Sequence, residues 1–273
     1  LDPVFIFVFK MGVNGAAIAT VIGQAVGCAV SLFFVLRNKY IKIKPHHLKL
    51  SRRMVSSIYA VGAPTIITNS IGTIMTGAMN AILIGFSTTA VSIFSVYFKL
   101  QSFVFMPIFG LSSGMVPIIA YNYGARKKER MMATIKIGTL IAVLIMVLGT
   151  LVFNLFPNAL LSLFSATEEM YRLGVPALKT ISLCFVFAAI SIGLGSSFQA
   201  TGYGIGTMIV SIARQLLVLI PVAYVLSKLI GINGVWLSFI VAEGIGLIVS
   251  IVLYIKVYDS RIKPIGEKEV FSE

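Results

Sequence analysis

A chain of 273 residues that is 58% hydrophobic and only 11% charged has too few charges to coat a water-facing surface; soluble domains carry about 25%. A mean hydropathy of +0.99 makes a bilayer the main solvent. The net charge of +13 sits mostly between apolar runs, as in cytoplasmic loops, which argues against nucleic-acid binding.

The apolar runs are long enough to span. No Asp, Glu, Lys or Arg occurs from Met11 to Leu36, Met54 to Phe98, Leu100 to Ala125, Ile137 to Thr167 or Thr180 to Ala213. Crossing the hydrocarbon takes about 20 apolar residues in a helix. These runs are apolar on nearly all faces, whereas barrel strands alternate, and helices bond their own backbones. Residues 1–9 read as the end of a helix or a loop segment. Seven spans are predicted after them, near 12–36, 54–83, 89–122, 130–153, 171–200, 205–227 and 234–256. Leu1 is followed at once by Asp2-Pro3 and an apolar run, so the chain reads as starting inside a longer protein.

The segments between spans set the orientation. Loop 37–53 carries Arg37, Lys39, Lys42, Lys44, Lys49, Arg52 and Arg53, and loop 123–130 carries Arg126, Lys127, Lys128 and Arg130. The tail carries Lys256, Arg261, Lys263 and Lys268, while loops 84–88 and 154–170 hold no Lys or Arg. Cytoplasmic loops are the basic ones, so loop 37–53 and the C-terminus are expected in the cytoplasm of a plasma-membrane protein.

An internal repeat organises the spans. Gly12-Val13-Asn14-Gly15 resembles Gly231-Ile232-Asn233-Gly234, and at the same offset Gln24 aligns with Glu243, Gly27 with Gly246 and Ser31 with Ser250. Gly and Asn suit a tight turn into a helix. If each copy ends a half, about 170 residues and five helices precede Leu1, and the halves are parallel repeats of six helices. The predicted organisation is 1–36, the end of an N-terminal lobe; 37–53, a basic inter-lobe loop; 54–258, a six-helix lobe; and 259–273, a cytoplasmic tail. The fold class is an all-α polytopic bundle, the second lobe of a twelve-helix, two-lobed transporter plus the last helix of the first.

Several motifs carry a family likeness. Leu1-Asp2-Pro3-Val4-Phe5-Ile6-Phe7 with Gly12–Thr20 and Gly23-Gln24, then Gly62-Ala63-Pro64, Pro117 to Arg126, and Phe198-Gln199-Ala200-Thr201-Gly202 follow in order along the whole chain. Together they resemble the multidrug and toxin extrusion (MATE) family from the end of its fifth helix through its twelfth. The resemblance implies an antiporter exporting organic, often cationic compounds in exchange for Na⁺ or H⁺, with no other cofactor and a cavity between lobes. NorM-type members carry acids in the seventh and tenth helices. Spans 54–83 and 171–200 here have none, which favours the branch resembling DinF-type or MepA-type members, whose implied acid lies in the first lobe. Partners are then small organic solutes, the lipid bilayer and the other lobe, and residues 1–273 alone are not expected to transport.

Polar groups at mid-depth are the candidate pathway. Charges there are costly and face a bundle interior or cavity. Arg214 and Glu243, on neighbouring spans, are expected to pair, structurally or in coupling. Lys99, about 15 Å into its span, lies on a stripe with Ser92, Ser95, Ser102 and Met106, facing either a cavity or a packed interior. Thr65, Asn69, Thr73, Thr76 and Asn80 share one face, for a cavity or for interhelical bonding. Ser191, Gly195 and Gln199 form a small, polar row suited to close packing. Prolines 64, 107, 117, 176 and 221 are possible kinks. His46-His47 lack partners for a metal, and Cys28 and Cys184 lack C-x-x-C spacing. With nine carboxylates, mostly in loops, and no phosphate loop, neither catalysis nor ATP-driven transport is expected. A flippase for lipid-linked sugars is the runner-up, since Lys99 and Arg214 suit a pyrophosphate; a membrane enzyme or scaffold is the third reading.

Overall fold

The computed structural model describes residues 1–37 and 51–267, with the backbone alone at 57, 60, 61, 64, 65, 266 and 267. The expectations for Lys39, Lys42, Lys44, His46-His47, Lys49 and Lys268, and for the side chains of Pro64 and Thr65, fall outside what is described. The chain divides into two units, Leu1–Ser57 and Ile58–Glu273.

In the first unit a π-helical turn, Val4–Val8, leads into α1, Gly12–Arg37. The corner between them turns on glycine. Gly12 has φ +54°, a conformation that a Cβ disfavours. A Cβ on Gly15 would lie 2.8 Å from the Phe5 carbonyl oxygen, so the helix starts hard against the preceding turn. Only Gly15 and Ala19 of α1 are buried. Such an apolar surface needs lipid or protein around it, not water.

The second unit takes up α2, Arg52–Ile84, from Ile58 onward. It continues with α3, Thr88–Gly124; α4, Lys128–Leu155; the short α5, Pro157–Ser162; α6, Glu168–Ser182; and α7, Phe185–Ala200. Then come α8, Gly204–Ser211, a π-helical segment, Ile212–Leu219, and α9, Ile220–Ile230, which run on as one rod. The last elements are α10, Ile232–Val257, a π turn, Tyr258–Ile262, and α11, Lys263–Glu267. Ser87 caps α3, its hydroxyl accepting from the Ala90 amide at 3.1 Å, and the Thr167 hydroxyl accepts from Met170 at the start of α6. Six described helices are long and apolar enough to cross a membrane, seven if α6 and α7 count as one bent crossing.

That bend corrects the single helix predicted over 171–200. The axes of α6 and α7 differ by 42° at Leu183–Cys184. The Leu183 and Cys184 amides close tight i→i+3 bonds to Thr180 and Ile181. The Ser182 carbonyl instead accepts from the Thr150 hydroxyl at 2.9 Å, and Asn154 Nδ2 donates to the Ser182 hydroxyl at 3.0 Å. Thr150 of α4 thus satisfies a carbonyl of the interrupted backbone, as a break inside hydrocarbon requires, and Asn154 of the same helix holds the Ser182 side chain beside it. The predicted loop 154–170 also contains α5, with Pro157 at its first position, where a missing N–H costs nothing.

In this unit α3 packs on α4 and α7, and α10 packs on α9 and α7. One apolar cluster joins the start of α3 to the end of α4 and the start of α10 through Phe94, Tyr97, Phe153, Phe185 and Trp236. A second joins the opposite ends through Met115, Ile119, Met131, Phe198 and Val257. The helices alternate in direction, so these clusters lie towards opposite ends of the bundle. Between them along α3 and α7 fall polar and small residues such as Ser112, Ser191 and Gly195 beside large ones such as Phe105 and Phe109.

Candidate functional site

The middle layer holds the ion pair expected from depth alone. Arg214 sits on the π-helical segment, whose wider turn is a frequent feature of functional sites. Its Nη1 donates to both oxygens of Glu243 on α10, at 2.8 and 3.0 Å. The side chains are 24% and 16% exposed. One turn along α10, Gly246 makes room for the arginine: a Cβ there would stand 3.0–3.2 Å from the Arg214 Cδ, Cγ and Cβ. Arg214 Nε is buried without a partner.

Two hollows adjoin the pair. One, of about 380 Å³, is bordered by both charged side chains and walled by Met75, Tyr97, Phe98, Phe105, Phe109 and Phe239. The other, of about 340 Å³, is lined by Asn69, Ser112, Ser191, Gln199, Ser211 and Ser250. Phe109, Arg214 and Gln215 border both. A carboxylate, a guanidinium, aromatic rings and hydroxyls thus meet within one membrane-embedded lobe, an arrangement able to hold a small amphiphilic solute.

The remaining expected residues are placed as follows. Asn69 and Gln199 line the hydroxyl-rich hollow, together with Ser191 and Gly195. The Thr73 and Thr76 hydroxyls donate back to Asn69 and Gly72 of their own helix, at 3.5 and 2.9 Å. Asn80 has a buried Oδ1 without a partner. Lys99 borders neither hollow. It is exposed on α3, its ammonium 5.9 Å from the centre of the Phe164 ring. The serines of its stripe bond their own backbone, Ser95 to Val91 at 3.1 Å and Ser102 to Phe98 at 2.7 Å. Gln101, on another face of α3, reaches the aromatic hollow instead. Tyr97 and Gln215 also line it and were not singled out from sequence, and so does Cys184, which the sequence raised only as a disulfide or metal candidate. A polar Gln215 beside a mid-depth arginine was the available signal. Among the described residues no group of three or more His, Cys, Asp or Glu is placed to hold a metal.

Fold and site define an integral-membrane helical bundle with solute-sized polar and aromatic hollows inside its second unit. The family pattern described as MatE matches residues 64–225, more than half of the chain, and the chain belongs to that family. Among relatives, it is 32% identical over 245 residues to the multidrug export protein MepA of Staphylococcus haemolyticus, covering 89% of this chain and 54% of that protein. It is 28% identical to the protein of the same name from Staphylococcus aureus, covering 90% and 54%. The chain therefore spans about half the length of these relatives. Among solved structures, an outward-facing MATE family multidrug resistance transporter superposes with a TM-score of 0.85 at 23% identity, covering 98% of this chain and 60% of that one. A MOP-superfamily transporter from Pyrococcus furiosus gives 0.85 at 24%, covering 97% and 60%. The fold is the all-α membrane bundle of that family, the second six-helix lobe of a twelve-helix, two-lobed plan with the last helix of the first lobe.

Proposed function

We propose that this chain is the second lobe of a secondary multidrug exporter that expels organic, often cationic compounds in exchange for Na⁺ or H⁺. The observation that carries the reading is the pair of solute-sized hollows around Arg214 and Glu243, at mid-depth in a bundle whose relatives are named multidrug export proteins. In this reading the coupling cation binds in the other lobe, changes helix packing there and releases solute outward, and rocking of the lobes resets the site. The basic segments support a cytoplasmic 37–53 loop and C-terminus. Nothing in the site favours the flippase. A pyrophosphate calls for net positive charge, but Arg214 is matched by Glu243 and Lys99 stands apart from both hollows.

The test is ethidium transport by the full gene product in proteoliposomes. A Na⁺ or proton gradient, imposed separately, should drive uphill movement that stops when it is collapsed. Uphill movement under neither gradient would overturn the reading.

A further inference from the structure

One end of the second unit carries charge that the fold does not cancel. Arg126, Lys127, Lys128, Arg130 and Lys136 lie on the α3–α4 turn and the first turns of α4, and Lys256, Arg261 and Lys263 lie at the end of α10 and just beyond it. Glu129 and Asp259 stand among them, yet among the described residues none of these bases is in an ion pair. Both segments are fixed in place. The α3–α4 turn is closed by the Lys127 amide on the Asn122 carbonyl at 2.9 Å. The turn after α10 is pinned by the buried Ile262 and by Arg261, whose Nη1 donates to the Thr201 carbonyl at 2.6 Å.

At this end α4 and α10 meet along a seam of long side chains. Lys128, Met132 and Lys136 are spaced four apart, so they share one face of α4. That face is turned towards α10: the Lys128 ammonium is 5.2 Å from the centre of the Tyr258 ring, and the Tyr254 hydroxyl is 3.6 Å from the Met132 sulfur. A thioether is a weak acceptor, so the Tyr254 proton remains available to a better one. Lys136 is exposed one turn deeper, about 12 Å along the axis from Lys128. Exposed Ile137 and Leu140 adjoin it, and α10 presents Ile251, Val252 and Ile255. A lysine on such an apolar surface extends its ammonium back to the membrane interface, here towards Lys128.

The seam therefore asks for an anion at its end and hydrocarbon along its length. Basic loops alone orient a membrane protein, but they do not require two lysines in one row above an apolar surface. A soluble phosphate meets the charge and leaves the apolar part uncovered. A zwitterionic lipid covers the apolar part but brings its own cation beside the lysines. An anionic lipid satisfies both demands, and clustered bases at the end of a span favour its headgroup.

We propose that the seam between the start of α4 and the end of α10 is a binding site for an anionic phospholipid, its phosphate on Lys128, Lys136 and the Tyr254 hydroxyl and its acyl chains along Ile251, Val252 and Ile255. The inference requires a bilayer around this unit and is independent of the export reading.

The purified full gene product is titrated in detergent with palmitoyl-oleoyl phosphatidylglycerol, with the phosphatidylcholine of the same chains, and with glycerol phosphate, and bound molecules are counted by native mass spectrometry. Phosphatidylglycerol should fill one site at least about tenfold more tightly than either of the others. Lys128→Gln with Lys136→Gln should erase that preference. Lys127→Gln with Lys263→Gln removes the same charge from outside the row and should keep the preference within about twofold. The four lysines are exposed or half-buried, and elution as a single species checks that each variant is folded. Equal binding of phosphatidylcholine would overturn the proposal, as would an undiminished preference in the row variant. Equal losses in both double variants would overturn it too, since they mean diffuse attraction without a site. Glycerol phosphate bound as tightly as the lipid would remove the lipid as occupant.

Discussion

The two hollows share a wall yet are lined by opposite chemistry. The aromatic one is built where large side chains of α3 and α10 meet, Tyr97 against Phe239 at 6.1 Å between ring centres and Phe94 against the same ring at 6.0 Å. The hydroxyl-rich one is lined from α2, α3, α7, α8, the π-helical segment and α10. Small residues bring α7 close to its neighbours: Ser112 of α3 and Ser196 of α7 share a 2.8 Å hydrogen bond, and Gly193 faces Thr139 of α4 with no room for a Cβ. Two of its hydroxyls donate their proton to their own helix, Thr207 to Gly204 at 2.7 Å and Ser250 to Gly246 at 2.8 Å. These two therefore offer lone pairs to the hollow. Close helix packing and polar lining are thus two results of the same choice of small side chains. The rings opposite result from letting the helices spread.

Arg214 borders both chemistries, so the sharpest way to break the comparison is to remove its counter-charge. Glu243→Gln leaves a guanidinium with only neutral neighbours. Loss of one member of a buried pair costs about 3–5 kcal/mol, and partial access from the hollows should bring this to the low end, about 3 kcal/mol. Thermal unfolding in detergent should show the drop, and exchanging the two residues, Arg214→Glu with Glu243→Arg, should recover part of it. An unchanged midpoint in Glu243→Gln would mean that water from the hollows already solvates Arg214.

A smaller effect is expected from filling the slot that holds the arginine stem. Gly246→Ala places a methyl 3.0–3.2 Å from three stem carbons, and flexible χ angles let the side chain give way. Overpacking of this kind costs about 1–3 kcal/mol. The displaced guanidinium should pull on Glu243 and loosen the wall between the hollows. A crystal structure of the variant would reveal the shift as a change in the 2.8 and 3.0 Å contacts.

Most of this architecture was legible because hydrocarbon imposes length and charge rules that a sequence cannot hide. The apolar pattern placed the described spanning helices to within a few residues, apart from the bend inside 171–200, and depth alone gave the Arg214–Glu243 contact. The likeness of the two G-x-N-G corners is also physical: Gly12 and Gly231 both have positive φ, and a Cβ on Gly15 or Gly234 would meet a carbonyl of the preceding segment, that of Phe5 or Leu226. The break at Leu183–Cys184 was not legible. No proline or glycine marks it, and its stabilising groups, Thr150 and Asn154, come from another helix. Depth also could not say which side of α3 faces a hollow. The side was decided by aromatic packing around Phe94 and Phe105, which leaves Lys99 outside and brings Gln101 in.

The smallest change separates packing from solute contact in the hydroxyl-rich hollow. Ser191 borders it, and its hydroxyl is buried with no partner. Leaving such a group unbonded costs about 1–3 kcal/mol, so Ser191→Ala should be neutral or stabilising by up to about 1 kcal/mol. The methyl fits where the hydroxyl stood, so no cavity offsets the gain. A clear loss of stability would mean that ordered water in the hollow already bonds the hydroxyl. If the hollow serves the polar end of a carried molecule, the same variant should bind that molecule less well while unfolding no sooner. Structural glue predicts that stability and binding change together, whereas a solute-facing lining predicts that they part.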